Sequence, residues 1–273
     1  MTKEDIDKNN DIILRLVAFD IYSHFEPFRA ALAASNQGRF DDARQALRPL
    51  IISEDSNDRK YALWLRSTLS PTRQRELDLL ESLSIDPQFT LALVSLAALE
   101  RDRKNFETSI DYAERAIKSN PTMPNGYHEK GRTLRAQQKL ESAIEEFRKA
   151  CSQTNPYAPC FNQIGEIYLI KADSDPTKVD GYRQAYAEFI KATRVDQFHA
   201  WAYSNAAYAA MRSGDPKDAQ LLVKRARELD PNTPSHIIRY AAITSKLGNK
   251  DEAISLIQAL SLIHISEPTR PER

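Results

Sequence analysis

Small side chains recur along the chain in register. Ala97, Gly131, Gly165, Ala207 and Ala241 are separated by 34, 34, 42 and 34 residues. Ser109, Ala143, Ala185, Ala219 and Ala253 follow with gaps of 34, 42, 34 and 34, because the longer gap falls inside one unit. Ala116, Ala150, Ala192 and Ala226 repeat the rhythm at 34, 42 and 34. A fourth column, Pro87, Pro121, Asn155, Gln197 and Pro231, ends each unit with gaps of 34, 34, 42 and 34. The shared anomaly marks an insertion of eight residues (42 minus 34) between Gly165 and Ala185, where the polar run KADSDPTKVDG covers about 171–181.

Larger apolar residues flank the small ones at helical spacing, as with Phe161, Ile164 and Tyr168 around Gly165, or Phe147 between Ala143 and Ala150. A 34-residue unit has room for two helices of about 14 residues and short turns. Where such helices cross closely, only Gly, Ala or Ser fits at the contact, which accounts for the columns. Asp86-Pro87, Asn120-Pro121 and Asp230-Pro231 mark unit boundaries, because proline lacks an amide donor and its predecessor avoids the α region. The predicted fold is all-α: antiparallel helix pairs stacked into a superhelical solenoid. Ahead of the repeats, Asn10 to Ser23 places Ile12, Leu16 and Phe19 on one face. Residues 1–23 are therefore expected to form an N-terminal capping helix, with docking onto a partner as the other use of that face.

The stretches FNQIGEIY at 161–168, AYAEFIKATRVD at 185–196 and GNKDEAISLIQAL at 248–260 resemble the tetratricopeptide repeat. The resemblance covers about 88–259 in five units and extends more weakly to 24–54, where GRFDDARQAL suits a turn and second helix with Ala31 and Ala43 in small positions. Residues 55–87 keep a helical pair in outline, but of Leu63, Arg75 and Ser82, which stand where small residues belong, only Ser82 fits, so that 24–87 reads as degenerate. Glu100, Lys130 and Thr244 stand at positions expected to be apolar. Residues 260–270, LSLIHISEPTR, break the repeat and resemble, codon for codon, the translation of a transposon-type sequencing-library adapter. The tail 260–273 is accordingly expected to be artefactual, with the natural chain continuing past 259.

Composition narrows the chemistry. The chain has 273 residues with 38 basic and 38 acidic side chains, which provides no electrostatic ground for a nucleic-acid or membrane-surface partner. Seven glycines cannot supply the turns and phosphate loops of most α/β enzymes. Cys151 and Cys160 lack CxxC spacing, so ordinary packing in a reduced, cytoplasmic setting is expected. The start MTKEDIDKNND is acidic and polar where a secretory signal is basic and then apolar. His24, His128, His199, His236 and His264 show no HExxH or HxxxH spacing, and no GxGxxG, GxxxxGK[ST] or GxSxG occurs. No catalytic, cofactor-binding or metal-binding residue is assigned.

The resemblance implies a concave groove, lined by the first helix of each unit, in which extended peptides bind. The positions facing away from the second helix are Asn125, His128, Glu129, Arg132 and Arg135; then Asn162, Gln163 and Glu166; then Trp201, Ser204, Asn205, Tyr208 and Arg212; then Arg239 and Lys246. Amides can engage a peptide main chain, Arg forks match carboxylates, and Trp and Tyr supply contact area at low entropic cost. In the register of the family's five-residue carboxylate clamp only Asn205 and Arg239 match, since Asn162, Glu166 and Ser235 occupy the other places. The expected function is a protein-interaction scaffold that binds a peptide or protein segment, anionic at one end, with self-association open. The alternative is a substrate-recruiting or regulatory arm of a longer enzyme, such as a transferase, truncated after residue 259.

Overall fold

The computed structural model describes residues 26–153, 157–175, 177 and 179–266, the last eight of these as backbone only. The expected capping helix at 1–23 and residues 267–273 of the tail lie outside the described residues. Fifteen helices and no strand occur among them: α1 (Pro27–Asn36), α2 (Phe40–Ala46), α3 (Arg48–Ile51), α4 (Ser56–Thr68), α5 (Thr72–Ile85), α6 (Thr90–Asp102), α7 (Phe106–Ser119), α8 (Pro124–Ala136), α9 (Leu140–Cys151), α10 (Ala158–Ser174), α11 (Val179–Val195), α12 (Ala200–Ser213), α13 (Pro216–Leu229), α14 (Pro234–Lys246) and α15 (Lys250–Ser266). The chain forms two compact units, Met1–Pro121 and Thr122–Arg273. In each, a helix packs chiefly on its hairpin partner and then on the next helix along the chain. The first unit contains the pairs α1–α2, α4–α5 and α6–α7, and the second contains α8–α9, α10–α11, α12–α13 and α14–α15.

The glycines of the first column sit under aromatic rings. A Cβ on Gly131 would lie 2.7 Å from Cε1 of Phe147, and one on Gly165 would lie 2.6 Å from Cε1 of Phe189. Both rings are fully buried, so the missing methyl is the space they occupy. Sixteen residues after Ala97 and Ala207 the corresponding positions hold Ala113 and Val223, and these are also fully buried. Column size and opposing size thus trade against each other from unit to unit. In α6–α7 the first and second columns touch directly, since Ser109 Oγ donates to the Ala97 carbonyl at 2.7 Å. Tight turns between the paired helices use a left-handed residue at Gly38, Lys104, Gln138, Gly214 and Gly248, with φ between 63° and 96°.

The insertion lengthens helices instead of forming a free loop. α10 and α11 each have 17 residues, against 12 to 14 in α8, α9, α12, α13 and α14. The extra turn is tied down by Tyr182, whose hydroxyl donates to Asp173 at 2.8 Å. In the degenerate pair α4–α5, Arg66 forks onto fully buried Asp78 at 2.9 and 2.7 Å, and Gln74 Nε2 adds a third bond at 2.7 Å. Arg75, out of place in a small-residue column, donates to the Ser67 carbonyl at 3.2 Å. Glu100 is likewise satisfied, by Arg103 at 2.8 Å and Asn105 at 2.7 Å.

The expectation for the cysteines is corrected. Cys151, the last residue of α9, and Cys160, in the first turn of α10, form a disulfide with Cα atoms 5.6 Å apart. Sequence spacing hides this pairing because the turn between two repeats folds back on itself, bringing residues nine apart in sequence to bonding distance. The reduced, cytoplasmic setting inferred from unpaired thiols loses that support.

Candidate functional site: a polar strip along the second unit

The first helices of the second unit, α8, α10, α12 and α14, carry every residue expected to line a groove, and the structure joins most of them side by side. Arg135 of α8 pairs with Glu166 of α10. Asn162, one turn earlier on α10, donates from Nδ2 to Glu166 Oε1 at 2.8 Å. Asn205 of α12 donates to Asn162 Oδ1 at 3.1 Å, and Arg239 of α14 donates to Asn205 Oδ1 at 2.6 Å and to Ser204 Oγ at 3.2 Å. These bonds make a ladder that crosses four successive first helices. Asn162 and Asn205 are buried by it, while Arg135, Glu166 and Arg239 stay part-exposed.

A second cluster meets the ladder at Tyr208. Arg212 donates to the Tyr208 hydroxyl at 3.1 Å and to the Tyr182 hydroxyl at 2.5 Å, and its guanidinium lies 4.7 Å from the Tyr182 ring centre. Tyr208 in turn donates to Asp173 at 3.2 Å. The Tyr208 ring has guanidinium carbons on it from both arginines, Arg212 at 5.7 Å and Arg239 at 5.6 Å, within cation–π range. Burial, with Asp173 adding to it, holds the Tyr182 and Tyr208 hydroxyls above the usual phenol range, so both remain donors. Burial also lowers the Arg239 pKa, a sign that its charge is partly desolvated.

The remaining expected residues lie apart from this network. His128 is buried against Phe147 and Tyr157, with ring centres 5.5 and 5.2 Å away, and its Nε2 has no partner. Arg132 donates to Glu129 at 3.0 Å. Asn125 is half-buried in the first turn of α8, and Gln163 is half-buried on α10 with an unpartnered Oε1. Trp201 is 43% exposed and stands edge-on to fully buried His236, with ring centres 4.7 Å apart. Asp173, Tyr182 and Tyr157 were not foreseen. Asp173 belongs to the insertion, Tyr182 directly follows it in α11, and Tyr157 lies in the turn that the disulfide closes. A usable signal was available, because Asn205 and Arg239 are 34 residues apart, one repeat, and a polar pair at that spacing on first helices predicts contact. No group of three or more His, Cys, Asp or Glu side chains able to hold a metal ion occurs among the described residues. No helix among them is long and apolar enough to cross a membrane.

Stacked helical hairpins with small residues at most crossings define a helical-repeat protein. Residues 87–159 match the family described as Tetratricopeptide repeat, so the chain carries tetratricopeptide repeats over that segment. Its fold is similar to that of PilW, a widely conserved type IV pilus biogenesis factor, at 16% identity over 79% of this chain and 96% of that one, with a TM-score of 0.61. It is also similar to Pseudomonas aeruginosa pilF, at 17% identity over 84% and 95% of the two chains and a TM-score of 0.60. A tetratricopeptide repeat protein from Parabacteroides merdae ATCC 43184 is 13% identical over 88% and 93%, with a TM-score of 0.57. At these identities the likeness is one of fold. No curated protein matches the chain.

Proposed function

We propose that the second unit is a protein-interaction module that binds a peptide or protein segment along the strip formed by α8, α10, α12 and α14. The observation that carries this reading is the ladder from Arg135 through Glu166, Asn162 and Asn205 to Arg239. It fixes polar side chains of four repeats in one arrangement before any ligand arrives, which lowers the ordering cost of binding. Exposed Trp201, one turn before Asn205 on α12, supplies the aromatic anchor that interface centres favour. Arg132, Arg135 and Arg212 are each paired with a carboxylate, whereas the hydrogen-bond acceptors of Arg239 are neutral, so Arg239 favours a ligand segment with negative charge. The fold of the relatives agrees with a scaffold role.

The test is selection of peptides on the purified chain, followed by binding to Trp201→Ala and to the Asn205→Ala/Arg239→Ala double variant. Affinity should fall at least tenfold in each, with helicity retained by circular dichroism. Unchanged affinity in both variants would remove the strip from consideration.

A further inference from the structure

The disulfide joins two successive hairpins, since Cys151 ends α9 and Cys160 lies in the first turn of α10. Its two sulfurs stand in unlike surroundings. Cys151 is half-buried, whereas Cys160 is fully buried, with its Sγ 2.8 Å from the Tyr157 carbonyl oxygen. The helix ends differ in sign as well. The C-terminus of α9 is a negative pole that disfavours a thiolate on Cys151, and the N-terminus of α10 is a positive pole that favours one on Cys160. An incoming thiolate therefore reaches Cys151, and the sulfur it displaces is the better leaving group.

The same joint carries the first rung of the ladder. Tyr157, immediately ahead of α10, stands edge-on to His128 of α8 with ring centres 5.2 Å apart, and His128 Nδ1 lies 3.6 Å from Glu129, to which Arg132 donates. Burial, followed by the Glu129 carboxylate, holds the Tyr157 hydroxyl above the usual phenol range. Two residues after Cys160, buried Asn162 bonds to Glu166, which pairs with Arg135 of α8. The disulfide thus fixes the end of α10 from which these contacts with α8 are made.

We propose that the Cys151–Cys160 bond is a thiol–disulfide exchange site for a dithiol reductant, attacked at Cys151, and that opening it slackens the seating of α10 on α8. One thiolate of the dithiol bonds to Cys151 Sγ as the bond between the cysteines breaks. The electron pair leaves on the Cys160 sulfur, which takes up a proton and donates to the Tyr157 carbonyl. The second thiolate of the dithiol then attacks the reductant sulfur of the mixed disulfide and expels Cys151, which is protonated in turn. Two electrons have passed from the dithiol, now a disulfide, to two protein thiols.

The test follows the full chain without ligand, so its outcome does not depend on whether the strip binds a peptide. Brief exposure to reduced glutathione, acid quenching, alkylation and peptide mapping should find at least tenfold more glutathione on Cys151 than on Cys160. Dithiothreitol should open the bond in native buffer at a rate proportional to its concentration and at least tenfold faster than global unfolding. NMR of the reduced chain should show shifts in the Tyr157 ring, the Asn162 side-chain amide and the Arg135 Nε–H, with the Arg212 and Arg239 Nε–H signals in place. A Cys151→Ala/Cys160→Ala variant should show that same spectrum without reductant and ignore dithiothreitol; where the variant does not fold, the reduced unmodified chain supplies the comparison. Equal labelling, or glutathione chiefly on Cys160, overturns the direction of attack. Reduction no faster than unfolding overturns the exchange site and leaves the bond a fixed clip. Shifts confined to Cys151 and Cys160 overturn the coupling to α8.

Discussion

The pairs α4–α5 and α10–α11 reach the same hairpin by opposite chemistry. In α10–α11 a glycine vacates the space that the Phe189 ring fills, and the contact is held by close packing over apolar surface. In α4–α5 Leu63 and Arg75 replace two of the small residues, leaving Ser82, and a buried carboxylate with three hydrogen bonds from Arg66 and Gln74 clamps the helices. Packing tolerates substitution gradually. A buried ionic clasp does not, because removing one member leaves the other charged and unpaired. The small-residue pattern that defines the repeat is therefore one of two ways this chain closes a hairpin, and the second leaves no period to find.

Substitutions can break that contrast in order of expected size. Asp78→Ala should cost about 3–5 kcal/mol by stranding Arg66, seen as a lower urea midpoint with accelerated hydrogen exchange confined to Met1–Pro121. An Arg66→Met/Asp78→Leu double variant should recover most of that loss; failure to recover would mean that the clasp specifies the pair and not merely its charge balance. Replacing Cys151 and Cys160 by serine should cost about 2.5 kcal/mol, the loop-closure entropy of a ring of roughly ten residues, and reductant should reproduce the loss in the unmodified chain but not in the variant. Gly165→Ala should cost about 1–3 kcal/mol through overpacking against Phe189. Adding Phe189→Val should restore much of it, because Ala207 and Val223 already pair those sizes in the next hairpin. An additive double variant would show that ring and methyl do not meet as the structure has them.

Two smaller effects sharpen the picture. Burial lowers the pKa of His199 and His236 from the ordinary value of 6.5. Below 6.5 the unfolded chain binds protons that these folded sites resist, so stability is full above that pH and is lost as pH falls through the depressed folded pKa values. The decline should appear in thermal melts of the second unit between neutral and mildly acidic pH, and His236→Phe should flatten it. Lys104→Gly and Gln138→Gly should each raise stability by up to about 1 kcal/mol, because the left-handed turn strains a side chain that glycine lacks. A melting temperature unchanged or lowered in both would contradict the turn geometry.

The all-α hairpin architecture was legible because each small residue answers to a contact within its own pair, and the period copies that contact along the chain. Gly131 and Gly165 are the clearest cases, each under a phenylalanine that lies in the same unit. The hydrogen-bond ladder across α8, α10, α12 and α14 joins positions that the sequence offered only singly. Arg135 and Glu166 are 31 residues apart and Asn162 and Asn205 are 43 apart, so their bonds depend on how successive hairpins stack. Asp173 was invisible because the polar run of the insertion, which extends two helices, has no repeat partner to compare with, and Tyr182 because the other units carry Phe106, Leu140 and Pro216 at its position. The disulfide was missed for a related reason: the spacing of Cys151 and Cys160 matches no short motif, and only the reversal of the chain between hairpins brings them together.

What the order of residues settled by itself was local: where helices start and stop, which face of each is crowded, and that the two helices of a hairpin close on residues with little or no side chain. Those features follow from sterics within a few turns of chain, and sterics of that range are written in periodicity. Which charges neutralise one another, which arginine is left facing neutral acceptors, and which thiols join were decided only when distant repeats came side by side, because desolvation and charge pairing act through space and carry no fixed spacing along the backbone.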